Sequence, residues 1–279
     1  MLVPCGKCHV CKKNRSKDWS TRLLHEMLYH NHAHFVTLTY DEENLPKNNS
    51  INKEDLQLFF KRLREQIKPI KIKYYAVGEY GEIHGRPHYH IILFGLPEKY
   101  FKLREKIYNQ KNRKWENCYS LDSWPYGIVH IGNVEPESIK YVTNYIDKVY
   151  YGEAFIKKIY GNRQQPFSLM SKGLGARYAK DNEKMIKQHL NITVGGKDVG
   201  IPRYYQKKLE LDGEAIHRES IAKKGGLSEE DVKLLRWWQK QKWTGSAKFL
   251  KQPEELRKIY NQRRTNYEAQ QKINKKGTL

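Results

Sequence analysis

The sequence predicts an α+β fold in which short strands alternate with amphipathic helices. The helical stretches carry apolar residues spaced by three and four, and the strands between them are rich in β-branched and aromatic residues. Two of these strands flank a glycine-containing turn, as the strands of a hairpin do. A chain of 279 residues can bury a good core in one large domain or two smaller ones.

The apolar pattern places each element in order. Trp19, Leu23 and Met27 lie four apart in the first predicted helix, and Leu56 and Phe60 mark one face of the second. Beyond residue 165, SKGLGARYAK predicts a glycine loop followed by a helix, and NITVGGKDVG predicts a short hairpin. The predicted helices are residues 18–30, 53–67 and 137–152, and the predicted strands are residues 35–41, 70–81, 88–95 and 126–134.

Two histidines open the second strand of the hairpin, in the stretch GRPHYHIILFG. Alternate side chains of a strand share a face, so His88 and His90 point together and Tyr89 points to the other face. The facing strand ends in VGEYG and brings Glu79 alongside the imidazoles. Two imidazoles and a carboxylate form an open three-ligand metal site. The alternative is a pair of surface histidines. The HNHAH stretch at 30–34 lacks these neighbours, and we interpret it as a solvated linker.

A tyrosine pair lies on the predicted helix 137–152, in the stretch YVTNYIDK. Tyr141 and Tyr145 are four residues apart, so both hydroxyls lie on one helix face, and Lys148 follows on the same face. A phenol is a poor nucleophile at neutral pH unless a cation polarises the electrophile and an ammonium stabilises the phenolate. The pattern predicts a nucleophilic site, and aromatic packing on a helix face is the alternative.

The charge of the chain indicates its partner. Lys and Arg number 52 against 31 Asp and Glu, a net charge of +21. Such a surplus predicts a polyanion, nucleic acid first and an anionic membrane surface second. The sequence has no apolar run of the roughly 20 residues that span a bilayer, no signal-peptide core and no phosphate-binding loop of a motor ATPase. We therefore expect a cytoplasmic protein without a membrane partner.

Three cysteines fall in the stretch CGKCHVC near the start. An odd, tightly spaced set argues against a disulfide framework and for reduced thiols. Cys5, Cys8 and Cys11 supply three ligands for a structural Zn²⁺ that needs four. Candidates for the fourth are Cys118, His9, His25 and His30; the alternative is three free cysteines.

Taken in order, FVTLTY, VGEYG with RPHYHIILFG, and YVTNYIDK resemble the three motifs of HUH endonucleases, the rolling-circle replication initiators. PCGKCHVC, SKGLGARY and IPRYYQKKL are similar to segments of the initiators of Microviridae phages of the gokushovirus kind. The resemblance touches most of residues 1 to about 210. It departs from the usual pattern at Tyr89, where a bulky aliphatic residue is common.

The resemblance implies a central antiparallel β-sheet with flanking helices, of the RRM-like HUH type. It implies Mg²⁺ or Mn²⁺ held by His88, His90 and Glu79, and Tyr141 and Tyr145 as nucleophiles. These would nick the viral origin, form a covalent link to the 5′ phosphate and rejoin ends to release unit-length circles. The implied partners are single-stranded and supercoiled origin DNA, with a host helicase and polymerase, in the cytoplasm of the bacterial host.

The domain prediction has three parts: a Cys-rich segment and helix at 1–34, the endonuclease core at 35–165, and a mainly helical basic region at 166–279. Residues 233–279 hold 13 Lys and Arg against 3 acidic residues. The RWWQKQKW stretch within them is suited either to stacking on bases or to packing in a core. Two rival functions stay open: a plasmid initiator or HUH transposase, and a non-enzymatic zinc-containing DNA-binding protein.

Overall fold

A computed structural model of the chain describes residue 6 and residues 9–81, 85–109, 113–145, 153–213 and 215–216. Two compact units divide the chain, Met1–Glu210 and Leu211–Leu279. The helices of the described part are α1 (His9–Met27), α2 (Lys53–Gln66), α3 (Pro136–Asn144), α4 (Glu153–Tyr160), α5 (Ala176–Asp181), α6 (Glu183–His189) and α7 (Arg203–Lys208). Its strands are β1 (Ala33–Thr39), β2 (Lys73–Tyr80), β3 (Pro87–Phe94), β4 (Lys102–Asn109), β5 (Lys114–Ser120), β6 (Val129–Asn133), β7 (Phe167–Met170), β8 (Ile192–Val194) and β9 (Lys197–Val199).

A seven-stranded sheet forms the centre of the first unit, in the order β4-β5-β6-β1-β3-β2-β7. Every neighbouring pair is antiparallel. The predicted hairpin is β2–β3, and β8–β9 form a separate small hairpin, also as predicted. Helices flank the sheet, which confirms the α+β prediction for this unit.

Helix α2 covers one face of the sheet. Asn52 caps its first turn by accepting a hydrogen bond from the Glu54 amide, and its buried side chains are the predicted Leu56, Phe59, Phe60 and Leu63. Tyr89 joins this core and is fully buried, which explains how the sequence accommodates an aromatic residue between the two histidines. Its hydroxyl donates to the Asn52 carbonyl and so ties β3 to the start of α2.

Helices α1 and α3 pack over the other face, where His88 and His90 lie. Apolar residues from both helices and from the sheet form the second core. These residues are Leu23, Tyr75, Val77, Ile92, Phe94, Ile139, Val142, Tyr145 and Leu174. The alternation of β3 therefore divides its side chains between two cores, with the imidazoles on the α3 side.

The SKGLGARY and IPRYY motifs fasten α1 from outside. Gly175 has a φ of +74°, and a Cβ there would lie 2.2 Å from the Tyr205 hydroxyl, so this position requires glycine. Its amide donates to buried Glu26, which also pairs with Lys73 at 2.7 Å. Burial alone would raise the pKa of Glu26, but hydrogen bonds from His30, Lys73 and Gly175 lower it to about 2.

His25 makes folding sensitive to pH. Its ring is 4% exposed, stacks on Tyr178 with centroids 3.5 Å apart, and bonds the Tyr205 hydroxyl through Nδ1. Burial lowers the pKa of His25 to about 4. The unfolded chain binds this proton below about pH 6.5, while the folded chain does not. The stabilisation is therefore complete above about pH 6.5 and is lost as the pH falls from there toward 4.

We expect the wild-type protein to lose about 2 kcal/mol of unfolding free energy through His25 between about pH 7 and pH 5. His25→Asn, which keeps a polar atom near the Nδ1 position but does not titrate, should remove this part of the slope. Urea unfolding at both pH values measures it. Equal slopes in the two proteins would contradict the assignment.

The sequence analysis missed three strands and misread one segment. Strands β4, β5 and β7 were not predicted, because their alternation is short and interrupted by charged residues. The HNHAH stretch is not a solvated linker: His34 lies in β1 with 7% exposure and contacts the Leu96 carbonyl oxygen through Nε2, and His30 bonds Glu26. Only the middle histidine, His32, is exposed.

Parts of other predictions fall outside the described residues. These are the end of the helix at 137–152, including Lys148, the thiols of Cys5 and Cys8, and the basic tail from residue 217 onward with its tryptophans. The first 34 residues and β7 both belong to the unit Met1–Glu210 that holds the sheet. In the part of the chain that is described, no helix combines the length and apolarity needed to cross a bilayer.

Candidate active site

Three side chains converge where β2 and β3 meet. Glu79 lies directly opposite His88 in the hairpin register. One carboxylate oxygen, Oε1 of Glu79, is 3.0 Å from Nε2 of His88 and 3.1 Å from Nε2 of His90. All three candidate ligand atoms lie within 4.8 Å of one another, the one such cluster of His, Cys, Asp and Glu among the residues described.

The opposite nitrogen of each imidazole is held by a neighbour. Nδ1 of His88 is 3.0 Å from the Arg86 carbonyl oxygen, and Nδ1 of His90 is 2.9 Å from the Thr37 hydroxyl. With Nδ1 carrying the proton, both rings present the lone pair of Nε2 on the same side. The two Nε2 atoms and the carboxylate therefore face one common point.

Glu79 is charged in this setting although it is only 2% exposed. Burial by itself would raise the pKa of Glu79, but hydrogen bonds from His88, His90 and Tyr145 outweigh burial and lower it to about 2. A buried carboxylate that stays ionised, beside two neutral imidazole donors, fits a divalent cation. The residues present thus match the metal site that the HxH pattern predicts.

The tyrosine pair lies directly over these ligands. The Tyr145 and Tyr141 hydroxyls are hydrogen-bonded to each other, and the Tyr145 hydroxyl also bonds Glu79. The His90 ring stands edge-on to Tyr141 with centroids 5.3 Å apart, and it stacks on Tyr145 at 6.1 Å. Burial, followed by the charge of Glu79, raises the pKa of Tyr145.

The two tyrosines differ in access. Tyr141 is 43% exposed, whereas Tyr145 is 7% exposed and belongs to the core between α3 and the sheet. Tyr145 also ends the helix, as the cap residue of α3. A ligand approaching from solvent therefore meets Tyr141 first.

Helix α1 fixes the height of α3 above the sheet through two polar contacts. Ser20 and Thr143 hydroxyls are 2.6 Å apart, and the Ser16 hydroxyl donates to the Asn144 side chain at 2.9 Å. Thr143 and Asn144 are the residues between the tyrosines, to which the sequence analysis assigned no role. A missed contribution to the site therefore comes from α1, more than 120 residues away in sequence.

Thr37 is a second missed residue. It lies in the FVTLTY stretch, but only the pairing of β1 with β3 places it opposite His90. Thr37→Val keeps the shape and removes the hydroxyl that holds Nδ1. We expect Mn²⁺ affinity to fall roughly 10- to 100-fold, measured by calorimetric titration. The matched control is Thr39→Val, since the Thr39 hydroxyl donates to the Ile128 carbonyl and should leave the affinity unchanged. Equal losses in both variants would contradict a specific role for Thr37.

The zinc prediction stays a prediction. Cys11 is the one thiol of the motif among the described residues. Of the proposed fourth ligands, His25 is bonded to Tyr205 and His30 to Glu26. Cys118 is buried on β5 with its sulfur 3.8 Å from Nδ1 of His130.

Known proteins resemble the chain over this same region. The family model described as replication-associated protein ORF2 matches residues 33–150. Replication-associated protein ORF2 of Spiroplasma virus 4 is 32% identical over 245 residues, which cover 80% of this chain and 74% of that protein. The chain belongs to this family of phage replication-associated proteins. Its membership confirms the resemblance predicted from the motifs.

Other relatives carry the same description. Replication-associated protein ORF4 of Chlamydia phage 1 is 28% identical over 213 residues, covering 74% of this chain and 53% of that protein. Replication-associated protein VP4 of Bdellovibrio phage phiMH2K is 30% identical over 225 residues, covering 73% and 66% respectively. No solved structure matches the chain. The span matched by the family model contains the three candidate ligands and both tyrosines.

Proposed function

We propose that this replication-associated protein starts rolling-circle replication by nicking one strand of a phage origin. One observation carries the proposal: a tyrosine hydroxyl is hydrogen-bonded to the carboxylate of a buried Glu-His-His cluster, and a second tyrosine hydroxyl adjoins the first. A nucleophile and a metal-ligand set within one hydrogen bond of each other suit phosphodiester chemistry.

The reaction is a transesterification. A phenolic oxygen attacks the phosphorus, the new bond joins that oxygen to the 5′ phosphate, and the bond to the 3′ oxygen breaks. The phenol loses its proton, and the departing 3′ oxygen gains one. Lys148, on the helix beyond Tyr145, is proposed to stabilise the phenolate or the phosphate, as its place in the sequence suggests.

A divalent cation, Mn²⁺ or Mg²⁺, supplies Lewis-acid polarisation of the phosphate when bound. Glu79, His88 and His90 are the residues that would hold it. Two imidazole nitrogens suit Mn²⁺ better than Mg²⁺, which prefers oxygen ligands. Arg86 and Thr37 keep the two rings turned toward that position.

Two tyrosines allow the strand to be transferred twice. The first cut leaves the protein bonded to the 5′ end it made, and release of a unit-length circle needs a second cut at the regenerated origin. Because Tyr141 and Tyr145 share one helix face, about 6 Å apart along the axis, each reaches the same phosphate after a small shift. The exposed Tyr141 is proposed to make the first cut.

Origin DNA, single-stranded or supercoiled, is the proposed substrate, and the net charge of +21 supports binding to its phosphates. A host helicase and polymerase are the proposed partners after the nick, in the cytoplasm of the bacterial host. Relatives from three phages favour this setting over a plasmid initiator or a transposase.

A covalent adduct tests the proposal. Single-stranded oligonucleotides tiled across the cognate viral genome are incubated with the full chain and Mn²⁺, and the products are separated on a denaturing protein gel. We expect one tile to give a band shifted by the mass of its 5′-phosphate fragment, and EDTA to abolish the band. If no tile gives an adduct with Mn²⁺ or Mg²⁺, the proposed function is wrong.

A further inference from the structure

A cleft opens beside the tyrosines because two strands diverge. In the described part of the chain, β5 pairs with β6 only through Tyr119 and Val129. Beyond this pair the strands separate and leave a cleft of about 380 Å³, within the size range of small-molecule sites. Its walls include Glu116, Asn117 and Tyr119 of β5, His130 and Gly132 of β6, and Phe35 of β1.

Phe35 connects this cleft to the reacting groups. One side of its ring stacks on His90 with centroids 5.4 Å apart, and its edge meets Tyr141 at 6.4 Å. Thr37, which bonds His90, also lines the cleft. A group seated against Phe35 therefore lies next to a phosphate that Tyr141 attacks.

The lining suits a nucleobase better than a phosphate. Phe35 and Tyr119 offer aromatic surface, while Asn117 and His130 offer polar groups that match the edge of a base. The Glu116 carboxylate in the wall opposes an anion but accepts a hydrogen bond from an amino group of a base. The ligand is thus flat, uncharged and polar at its edge.

The β4–β5 hairpin that forms the outer wall supplies the complementary charge. Residues 102–120 contain six Lys and Arg and two Glu. Near the end of the hairpin, Tyr108 and Trp115 pair with ring centroids 5.5 Å apart and are 46% and 67% exposed. A strand whose base enters the cleft has a basic surface beside it for its phosphates.

We propose that the cleft between β5 and β6 seats one unpaired base of the DNA strand, adjacent to the phosphate that is cut. The inference rests on the proposed function for the position of the strand. It adds a base-binding subsite, and this subsite would make the choice of cleavage position depend on the nucleotide held there.

Gly132 provides a way to close the cleft without disturbing the fold. It is exposed, its φ is not in the positive range, and the nearest atom to an added Cβ is Cδ1 of Phe35 at 4.0 Å. Alanine therefore fits, whereas isoleucine, which strands accept readily, fills the space beside Phe35. The matched control is Asn133→Ile, since Asn133 is exposed on the same strand and does not line the cleft.

The first measurement is equilibrium binding in EDTA, where no strand is cut. The probes are fluorescein-labelled oligodeoxythymidylate of about 12 nucleotides and an abasic strand of the same length. We expect Gly132→Ile to weaken binding of the base-bearing probe roughly 5- to 100-fold, the effect of one lost stacking site, and to leave the abasic probe unchanged. Gly132→Ala and Asn133→Ile should bind both probes as the wild type does. Unchanged thermal midpoints verify folding.

The second measurement is photocrosslinking of the same oligonucleotide with 5-iodouracil in place of thymine. We expect peptide mapping to find the crosslink at Phe35 or Tyr119 and to lose it in Gly132→Ile. That result supports the subsite even if no substrate is nicked. Equal affinities of the wild type and Gly132→Ile for the thymidylate probe overturn the subsite even if a covalent adduct forms.

Discussion

His90→Ala is expected to abolish the covalent adduct, with a loss on the order of 10³-fold or more in its rate of formation, and His88→Ala should do the same. Each variant removes one of three ligand atoms that lie within 4.8 Å of one another. A metal acting as a Lewis acid contributes several kcal/mol to such a reaction, and each 1.4 kcal/mol is tenfold in rate. Glu79→Gln should weaken Mn²⁺ binding, since it removes the charge that the site supplies to the cation.

Binding of DNA is the internal control for these variants. Its affinity comes from Lys and Arg across the surface, so single-strand affinity at matched salt should stay within about twofold of the wild type. His32→Ala is the matched histidine control, because His32 is exposed and lies just before β1. Adduct formation by His90→Ala at the wild-type rate in limiting Mn²⁺ would mean that the metal site is misplaced.

Tyr141→Phe combined with Tyr145→Phe is expected to eliminate the adduct altogether. Both rings keep their packing, but no phenolic oxygen remains over the ligands. Each single variant should retain some nicking and fail at repeated circle release, which needs both nucleophiles. Since Tyr141 is 43% exposed and Tyr145 is 7% exposed, Tyr141→Phe should lose the larger share of the first adduct.

Peptide mapping of trapped DNA measures this division directly. In the wild type we expect both tyrosines to be modified, with Tyr141 in excess after a single cut. Tyr108→Phe serves as the control for removal of an exposed tyrosine hydroxyl elsewhere on the sheet. A covalent adduct in the double variant would place the nucleophile elsewhere in the chain.

The local sequence was sufficient for the parts of the site that one or two adjacent elements build. Alternation along β3 places His88 and His90 on one face, and the short connection of the β2–β3 hairpin sets Glu79 opposite His88. Helical spacing alone puts Tyr141 and Tyr145 on one face of α3. These relations hold because each depends on backbone periodicity or on a tight connection.

The sheet outside the hairpin was harder to predict. The β4–β5 hairpin has mixed charged and apolar residues and is largely solvated, so it lacks the apolar alternation that marks a half-buried strand. Strand β7 has only four residues and gains its place by pairing with β2, about 90 residues earlier. Pairing of this kind depends on partners that no local window contains.

The sequence by itself determined the class of fold, the three candidate metal ligands, the tyrosine pair and the basic character of the chain. Only the tertiary structure decided that the Tyr145 hydroxyl bonds Glu79 and that Thr37 holds His90. It also decided the contacts of α1 with α3 and the cleft beside Phe35. The physical reason is separation along the chain: local patterns fix which way a side chain points, but the packing of distant elements fixes what it meets.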